Sequence, residues 1–245
     1  MKLRKTALYT ALLLMVLFSA CKNEDRPSDF PPTLSTDPND KQPAPSNDND
    51  ENAVVVTEGL TKDYLNTNRG IWQKPELILQ LLGNLEDKVV ADIGAGTGFF
   101  AFRLAPKAKK VIAVDINPVY TKALDSLKVF RLADDIQDRL VTRLGKENDP
   151  NLAEGEVDIA IIVNTFVYIR DKVGYLRTLK KGIAKGGKLL LIEFKKKRLP
   201  DFVEPEQKYR LPLHEAEEML YNAGYKNIVA NDTALDYQYI LIAEN

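Results

Sequence analysis

Val89-Val90-Ala91-Asp92-Ile93-Gly94-Ala95-Gly96-Thr97-Gly98-Phe99-Phe100 is the stretch on which the fold of this chain turns. A short apolar run ends in an acid, three glycines follow at alternate positions, and residues able to start a helix come next. That order predicts a buried strand turning tightly into a helix. Glycine admits positive φ and lets the backbone approach a ligand, and the first free N–H groups of the following helix point toward it. A turn of this kind implies a nucleotide-cofactor site.

The spacing separates cofactor classes. The dinucleotide fingerprint G-x-G-x-x-G, counted from Gly94 and Gly96, requires a glycine at position 99, and position 99 is Phe. The chain reads Asp-x-Gly-x-Gly-x-Gly instead, with Asp92 two residues before the first glycine. This resembles motif I of the class I S-adenosylmethionine (SAM)-dependent methyltransferases. The resemblance implies an α/β, doubly wound, Rossmann-like fold: a seven-stranded, mostly parallel sheet with an antiparallel last strand. It also implies that the backbone of Gly94, Ala95, Gly96 and Gly98 holds the carboxyl end of the cofactor's methionine moiety, with Asp92 on its ammonium directly or through water.

A second strand, Val111 to Asp115, ends in a carboxylate seventeen residues after Gly98. In a doubly wound sheet that acid lies at the carboxyl edge beside the glycine turn, where it accepts from ribose hydroxyls, with Ile116 next to it. An NAD site would use such an acid in the same way. Pro118 opens a helical stretch to about Gln137, with Tyr120, Leu124, Leu127, Phe130 and Ile136 on one face. Leu140 to Leu144 forms a third strand, and Gly145 to Pro150 turns away from it. In related methyltransferases an acid in this loop accepts from the adenine amino group. Lys146 stands at the usual position here, so Glu147 and Asn148 are the candidates.

Val157 to Val163 is a near-continuous apolar run, as expected of a strand buried on both faces. It empties into Asn164-Thr165-Phe166-Val167-Tyr168, where the resemblance places motif IV. The resemblance implies Asn164 as a cofactor or substrate contact and Tyr168 as a wall of the substrate side; from the residues alone a strand cap and a core aromatic stay open. Asp171 suits an N-cap for a helix carrying Val173, Leu176, Leu179 and Ile183. Lys185 to Lys188 turns into a fifth strand, Leu189 to Glu193, and Lys195 to Arg198 reads as a solvated loop. A helix from Leu213 to Ala223, a strand near Asn227 to Ala230 and a last strand Tyr237 to Ala243 complete the pattern. Ahead of motif I, Pro75 and Gly83 bracket an amphipathic helix. Trp72, in Trp72-Gln73-Lys74-Pro75, reads as a core anchor.

The N-terminus reads as an address. Lys2, Arg4 and Lys5 precede the uncharged, mostly apolar stretch Thr6 to Ala20, which reads as a secretory signal and is shorter than a membrane span. Phe18-Ser19-Ala20-Cys21 resembles the bacterial lipobox, which implies signal cleavage, lipidation at Cys21 and anchoring to a membrane of the cell envelope. Residues 22 to 52 hold six prolines and eight acids and cannot bury enough surface to offset ordering. The expected organisation is a lipoprotein signal over 1–20, a disordered tether over 21–52 and a methyltransferase-like domain over 53–245.

With 34 Lys and Arg against 35 Asp and Glu, the net charge of −1 gives no electrostatic footprint for nucleic acid. One cysteine and one histidine, His214, exclude an intramolecular disulfide and leave no recognisable metal centre. The expected activity is SAM-dependent methyl transfer to a small-molecule acceptor. Tyr64, Tyr168, Glu193 and Tyr209 are the candidate bases, and no motif selects among them. Two alternatives stay open: an exported, non-catalytic module binding a nucleoside or SAM, and an NAD-binding oxidoreductase. The first has weight because SAM is made in the cytosol, whereas a lipobox sends the domain out of it.

Overall fold

The computed structural model describes residues 69–201, 203 and 205–245. The signal segment, Cys21, the tether, Tyr64 and the start of the expected domain lie outside the described residues. In chain order the elements are α1 (Arg69–Trp72), α2 (Pro75–Leu82), β1 (Val89–Ile93), α3 (Ala101–Leu104), β2 (Lys110–Asp115), α4 (Pro118–Arg131), β3 (Leu140–Leu144), β4 (Val157–Val163), α5 (Lys172–Gly182), β5 (Ile183–Phe194), α6 (Leu213–Asn222), β6 (Lys226–Asn231) and β7 (Gln238–Glu244).

The strands form one seven-stranded sheet in the order β3-β2-β1-β4-β5-β7-β6. β1 to β5 pair in parallel, and β7 runs antiparallel to both β5 and β6. The expected sheet is therefore present, with β7 as its single reversed strand. Strand order reverses between β1 and β4, and in open sheets of this kind that switch point places the ligand crevice at the carboxyl ends.

β4 shows why the central strands read as unbroken apolar runs. Ile159, Ile161 and Val163 pack into a core with Ile78, Phe102, Leu104 and Leu124. Ala160 and Ile162 face the opposite way, into a core with Tyr175, Leu176, Leu179 and Leu220. Successive side chains alternate between two buried faces, so neither face is free to be polar. Trp72 is the anchor expected: it is buried, with its ring centroid 5.6 Å from that of Phe194 and 5.9 Å from that of Tyr237.

Three boundaries depart from the sequence reading. The helix after the glycine turn spans only Ala101–Leu104, because residues 96–100 are turns. α4 ends at Arg131, where Leu132 is extended, and a 3-10 turn, Asp134–Arg139, follows. Phe130 consequently lies in the last turn and is 84% exposed rather than on the packed face. Third, Ile183 begins β5 instead of ending α5, and the Lys185–Lys188 segment is part of that strand. Between Val157 and Ile159 on β4 the partner on β5 jumps from Ile183 to Lys188, a bulge. It is made feasible by Gly186 at φ +75° and by Gly187, whose added Cβ would lie 2.5 Å from the Asp158 carbonyl oxygen.

Beyond β5, Arg210 organises the connection to α6. It is buried, and it donates to the carbonyl oxygens of Pro205, Lys197 and Val203. Three backbone acceptors from separate turns thus converge on one planar donor. His214 sits exposed at the first turn of α6 and has no part in the crevice.

Candidate functional site

The carboxyl ends of β1, β2 and β4 open into a cavity of about 620 Å³. Ile93, Gly94, Val114, Asp115 and Ile116 supply one side of it, and Gly145, Lys146 and Glu147 another. Asn164, Thr165, Tyr168, Ile169 and Arg170 close it, with Tyr175 and Tyr120 also on the wall. Five of the expected contacts therefore meet there: Gly94, Asp115, Ile116, Glu147 and Asn164. Asp92, Ala95, Gly96, Gly98 and Asn148 lie off the wall.

Asp115 is the hinge of the arrangement. Its Oδ2 accepts from Gly96 N at 2.9 Å and its Oδ1 from Asn117 N at 2.9 Å. One carboxylate thus ties the turn after β1 to the turn after β2 while its remaining lone pairs stay available to the cavity. Asn117 in turn caps α4 through Val119 N at 2.9 Å.

The glycine turn differs from what its sequence leads one to expect. Gly94 N and Ala95 N both donate to Val114 O, at 2.8 and 3.0 Å, Gly96 N to Asp115, and Gly98 N to Ala95 O at 2.9 Å. These amides close the turn on β2 and on itself, so they are not a vacant cradle for a ligand carboxylate. The three glycines serve three different needs. A Cβ on Gly94 would stand 2.2 Å from Thr165 Oγ1, and one on Gly98 would stand 2.5 Å from Leu124 and 2.6 Å from Phe102. A Cβ on Gly96 would meet nothing within 4 Å. Gly98 is thus packed closely against apolar side chains, with no space for a side chain of its own.

Asp92, on β1 just before that turn, is 3% exposed, and its Oδ2 has no hydrogen-bond partner among the described residues. Burial pushes its carboxyl up to about 7, against the opposing pull of the Arg69 guanidinium and the Ala101 N–H. An unfolded-chain aspartate titrates near 4. The native state therefore holds a proton that the unfolded chain has released between about pH 4 and pH 7, and stability declines across that window, by on the order of a few kcal/mol at most. Below it the contribution is complete; above it the loss is level. Glu193, likewise pushed up to about 7 by burial, adds a fall of the same sign. In Asp92→Asn the decline in the denaturant midpoint from pH 4 to 7 is expected to be about half that of the wild type. An unaltered decline would show that this carboxyl is not buried as described.

Glu193 is not a base facing the cavity. It is 2% exposed at the end of β5, and its Oε1 accepts from Val167 N at 3.2 Å, which fixes the 3-10 turn Phe166–Tyr168. Phe166 is fully buried under that turn, whereas Tyr168 is 63% exposed. Tyr168 walls the main cavity and also a second one of about 540 Å³, lined by Val167, Pro205, Glu206 and Tyr209.

In the loop after β3, Lys146 N donates to Asp149 O at 2.7 Å and Asp149 N to Lys146 O at 3.2 Å. This pinches Glu147 and Asn148 to the tip of a turn, where Glu147 reaches the wall and Asn148 is exposed away from it. Thr165, Arg170 and Tyr175 were not singled out by sequence reasoning. Tyr175 had a usable signal: with Leu176 and Leu179 it falls on the i, i+1, i+4 face of α5. Among the described residues no cluster of His, Cys, Asp and Glu has the makings of a metal site, and no helix is long and apolar enough to cross a membrane.

A family model described as a methyltransferase domain matches residues 91–189. The tRNA U34 carboxymethyltransferase of Sulfurovum sp. (strain NBC37-1) is 32% identical over 112 residues, covering 45% of this chain and 36% of that protein. A probable protein arginine N-methyltransferase 6 of Arabidopsis thaliana is 32% identical over 109 residues, 44% of this chain and 23% of that one. The chain thus spans about a third or less of these curated relatives' lengths. Among solved structures, a SAM dependent methyltransferase from Aquifex aeolicus superposes with a TM-score of 0.65 at 22% identity, covering 76% of this chain and 97% of that one. The [4+2]-cyclase SpnF superposes at 0.60 with 14% identity, covering 71% and 80%.

Proposed function

We propose, for a chain that carries a class I SAM-dependent methyltransferase domain, that it binds S-adenosylmethionine in the cavity at the switch point and transfers the methyl group to a small-molecule acceptor. The single observation that carries the reading is the Asp115 carboxylate. It is held by two backbone donors at the carboxyl end of β2, with the cavity in front of it.

The residues present fit that cofactor on three counts. Asp115 offers acceptors suited to a pair of ribose hydroxyls. Glu147, on the cavity wall, offers an acceptor suited to an adenine amino group. Asp92 keeps a buried oxygen with no partner among the described residues, on the strand that leads into the glycine turn. When bound, SAM supplies a methyl group already activated by its sulfonium, so no metal or nucleophilic side chain is called for. The work left to this chain is to bind, to orient and to exclude water. Asp115 and Glu147 bind, Asn164 and Thr165 set the position at the end of β4, and Tyr168 separates the cofactor cavity from the one walled by Tyr209 and Glu206. That second cavity is the acceptor side in this reading, with Tyr168 and Tyr209 as the hydroxyl groups within reach of an acceptor proton.

Some relatives act on tRNA, as their names state. The net charge of −1 gives no global electrostatic footprint for a polyanion, and this favours the small-molecule acceptor. Calorimetric titration of the full chain with SAM, its demethylated product and NAD tests the proposal. Saturable binding of the two adenosyl compounds and none of NAD is expected, and binding of NAD alone overturns it. Attachment to the cell envelope through Cys21 belongs to the same proposal; mass spectrometry of the mature N-terminus should find a lipidated Cys21, and an intact Met1 in the native host would remove it.

A further inference from the structure

Two fully buried amides, Gln73 and Gln238, lie between the first described helix and the end of β4. Arg69 Nε donates to Gln73 Oε1 at 2.7 Å. Gln73 Nε2 donates to Gln238 Oε1 at 3.3 Å, and Gln238 Nε2 donates to Asn164 Oδ1 at 2.6 Å. Asn164 stands on the cavity wall, with its backbone held at φ +56°. Its amide nitrogen makes no hydrogen bond to another described residue.

A carboxamide has no intrinsic direction, since oxygen and nitrogen are nearly the same size and either end fits. A guanidinium is different, because it has donors only. Arg69 can therefore meet only the oxygen of Gln73, which leaves the Gln73 nitrogen facing Gln238. The Gln238 atom opposite must then be oxygen, and its nitrogen is turned to Asn164. The Asn164 atom opposite must likewise be oxygen. Reversing any one link sets two donors or two acceptors against each other at one of the two fully buried glutamines. The polarity at the far end is thus dictated by the charge at the near end.

We propose that Arg69, Gln73 and Gln238 form a one-way amide relay that presents the NH2 group of Asn164 to the cavity, so that the ligand group recognised there is an oxygen hydrogen-bond acceptor. Gln73 and Gln238 are positioning residues, acting through Asn164. The polarity of Asn164 stands on the chain's own residues; only the assignment of the ligand oxygen to SAM or its acceptor rests on the methyl-transfer reading.

The test uses the full chain with 15N in its Asn and Gln side chains, the Asn164 signal being identified by its loss in Asn164→Ser. In the wild type the Asn164 amide protons exchange freely with water. In Gln73→Glu at pH 8 a carboxylate faces both Arg69 and Gln238. It offers only oxygens, so Gln238 and then Asn164 reverse. The Asn164 amide protons are expected to become protected by about tenfold or more, and the dissociation constant for SAM to rise by a similar factor. Gln73→Met removes the guide without imposing the opposite polarity, and it leaves Asn164 exchange unprotected. A purely structural role would make the two variants alike in Asn164 exchange, and that outcome overturns the relay. Should Gln73→Glu not fold, Gln238→Glu imposes the same reversal one link later; unchanged Asn164 exchange there also overturns it. Reversal in Gln73→Glu together with a wild type that does not bind SAM supports the relay and counts against the cofactor instead.

Discussion

Asp115→Ala is expected to raise the dissociation constant for SAM by about a hundredfold or more, measured by calorimetric titration alongside thermal unfolding. The magnitude follows from two charge-assisted hydrogen bonds to a ribose, each contributing roughly 1.5–3 kcal/mol. The same substitution leaves Gly96 N and Asn117 N without their acceptor, so the turns after β1 and β2 lose the tether that aligns them. Asp115→Asn grades these contributions. It keeps the volume and one acceptor but turns an NH2 donor toward either Gly96 N or Asn117 N, so both its affinity and its unfolding temperature fall between wild type and Ala. Affinity for SAM left untouched in Asp115→Ala would remove this cavity as the cofactor site, and the functional reading with it.

Gly94→Ala carries the largest expected effect on stability. The added methyl would stand 2.2 Å from Thr165 Oγ1 and 2.4 Å from its Cγ2, on a backbone at φ +73°. Strain in the left-handed region costs about 1–3 kcal/mol, and forcing the Thr165 turn outward costs a similar amount, so a loss of roughly 2–5 kcal/mol is expected in denaturant unfolding. Gly96→Ala at φ +53° meets nothing within 4 Å and should lose only the backbone part. Combining Gly94→Ala with Thr165→Gly removes the obstruction but not the backbone strain, so recovery should be partial. Equal losses at positions 94 and 96 would mean that the approach of the β1 turn to the β4 loop is not what demands a glycine there.

Much of this was readable before any coordinates. Val157 to Val163 reports its own burial, because a strand covered on both faces has no position left for a polar residue. Asp115 follows from its place at the end of such a strand. The glycine turn was readable as a turn but not as a set of occupied donors. Which carbonyl each amide meets depends on how β2 stands beside β1, and that register is a property of the sheet, not of the motif. Glu193 stood among the candidate bases with no motif to select it; only its burial and the hydrogen bond it accepts from Val167 N distinguish a structural acceptor from an exposed one. The relay from Arg69 to Asn164 was beyond sequence reasoning. Gln73 and Gln238 are 165 positions apart, and nothing local signals that two glutamines share a buried contact.

The closed glycine turn has a bearing on how such a domain changes purpose. Where main-chain donors grip a ligand, discrimination is written into the backbone, and altering it means rebuilding the loop. Here the loop satisfies itself, and the choice of guest falls to a handful of replaceable side chains around the opening. A lineage built this way can exchange its chemistry by point substitution with the frame unaltered, so a shared architecture and divergent reactions are what one should expect to find together.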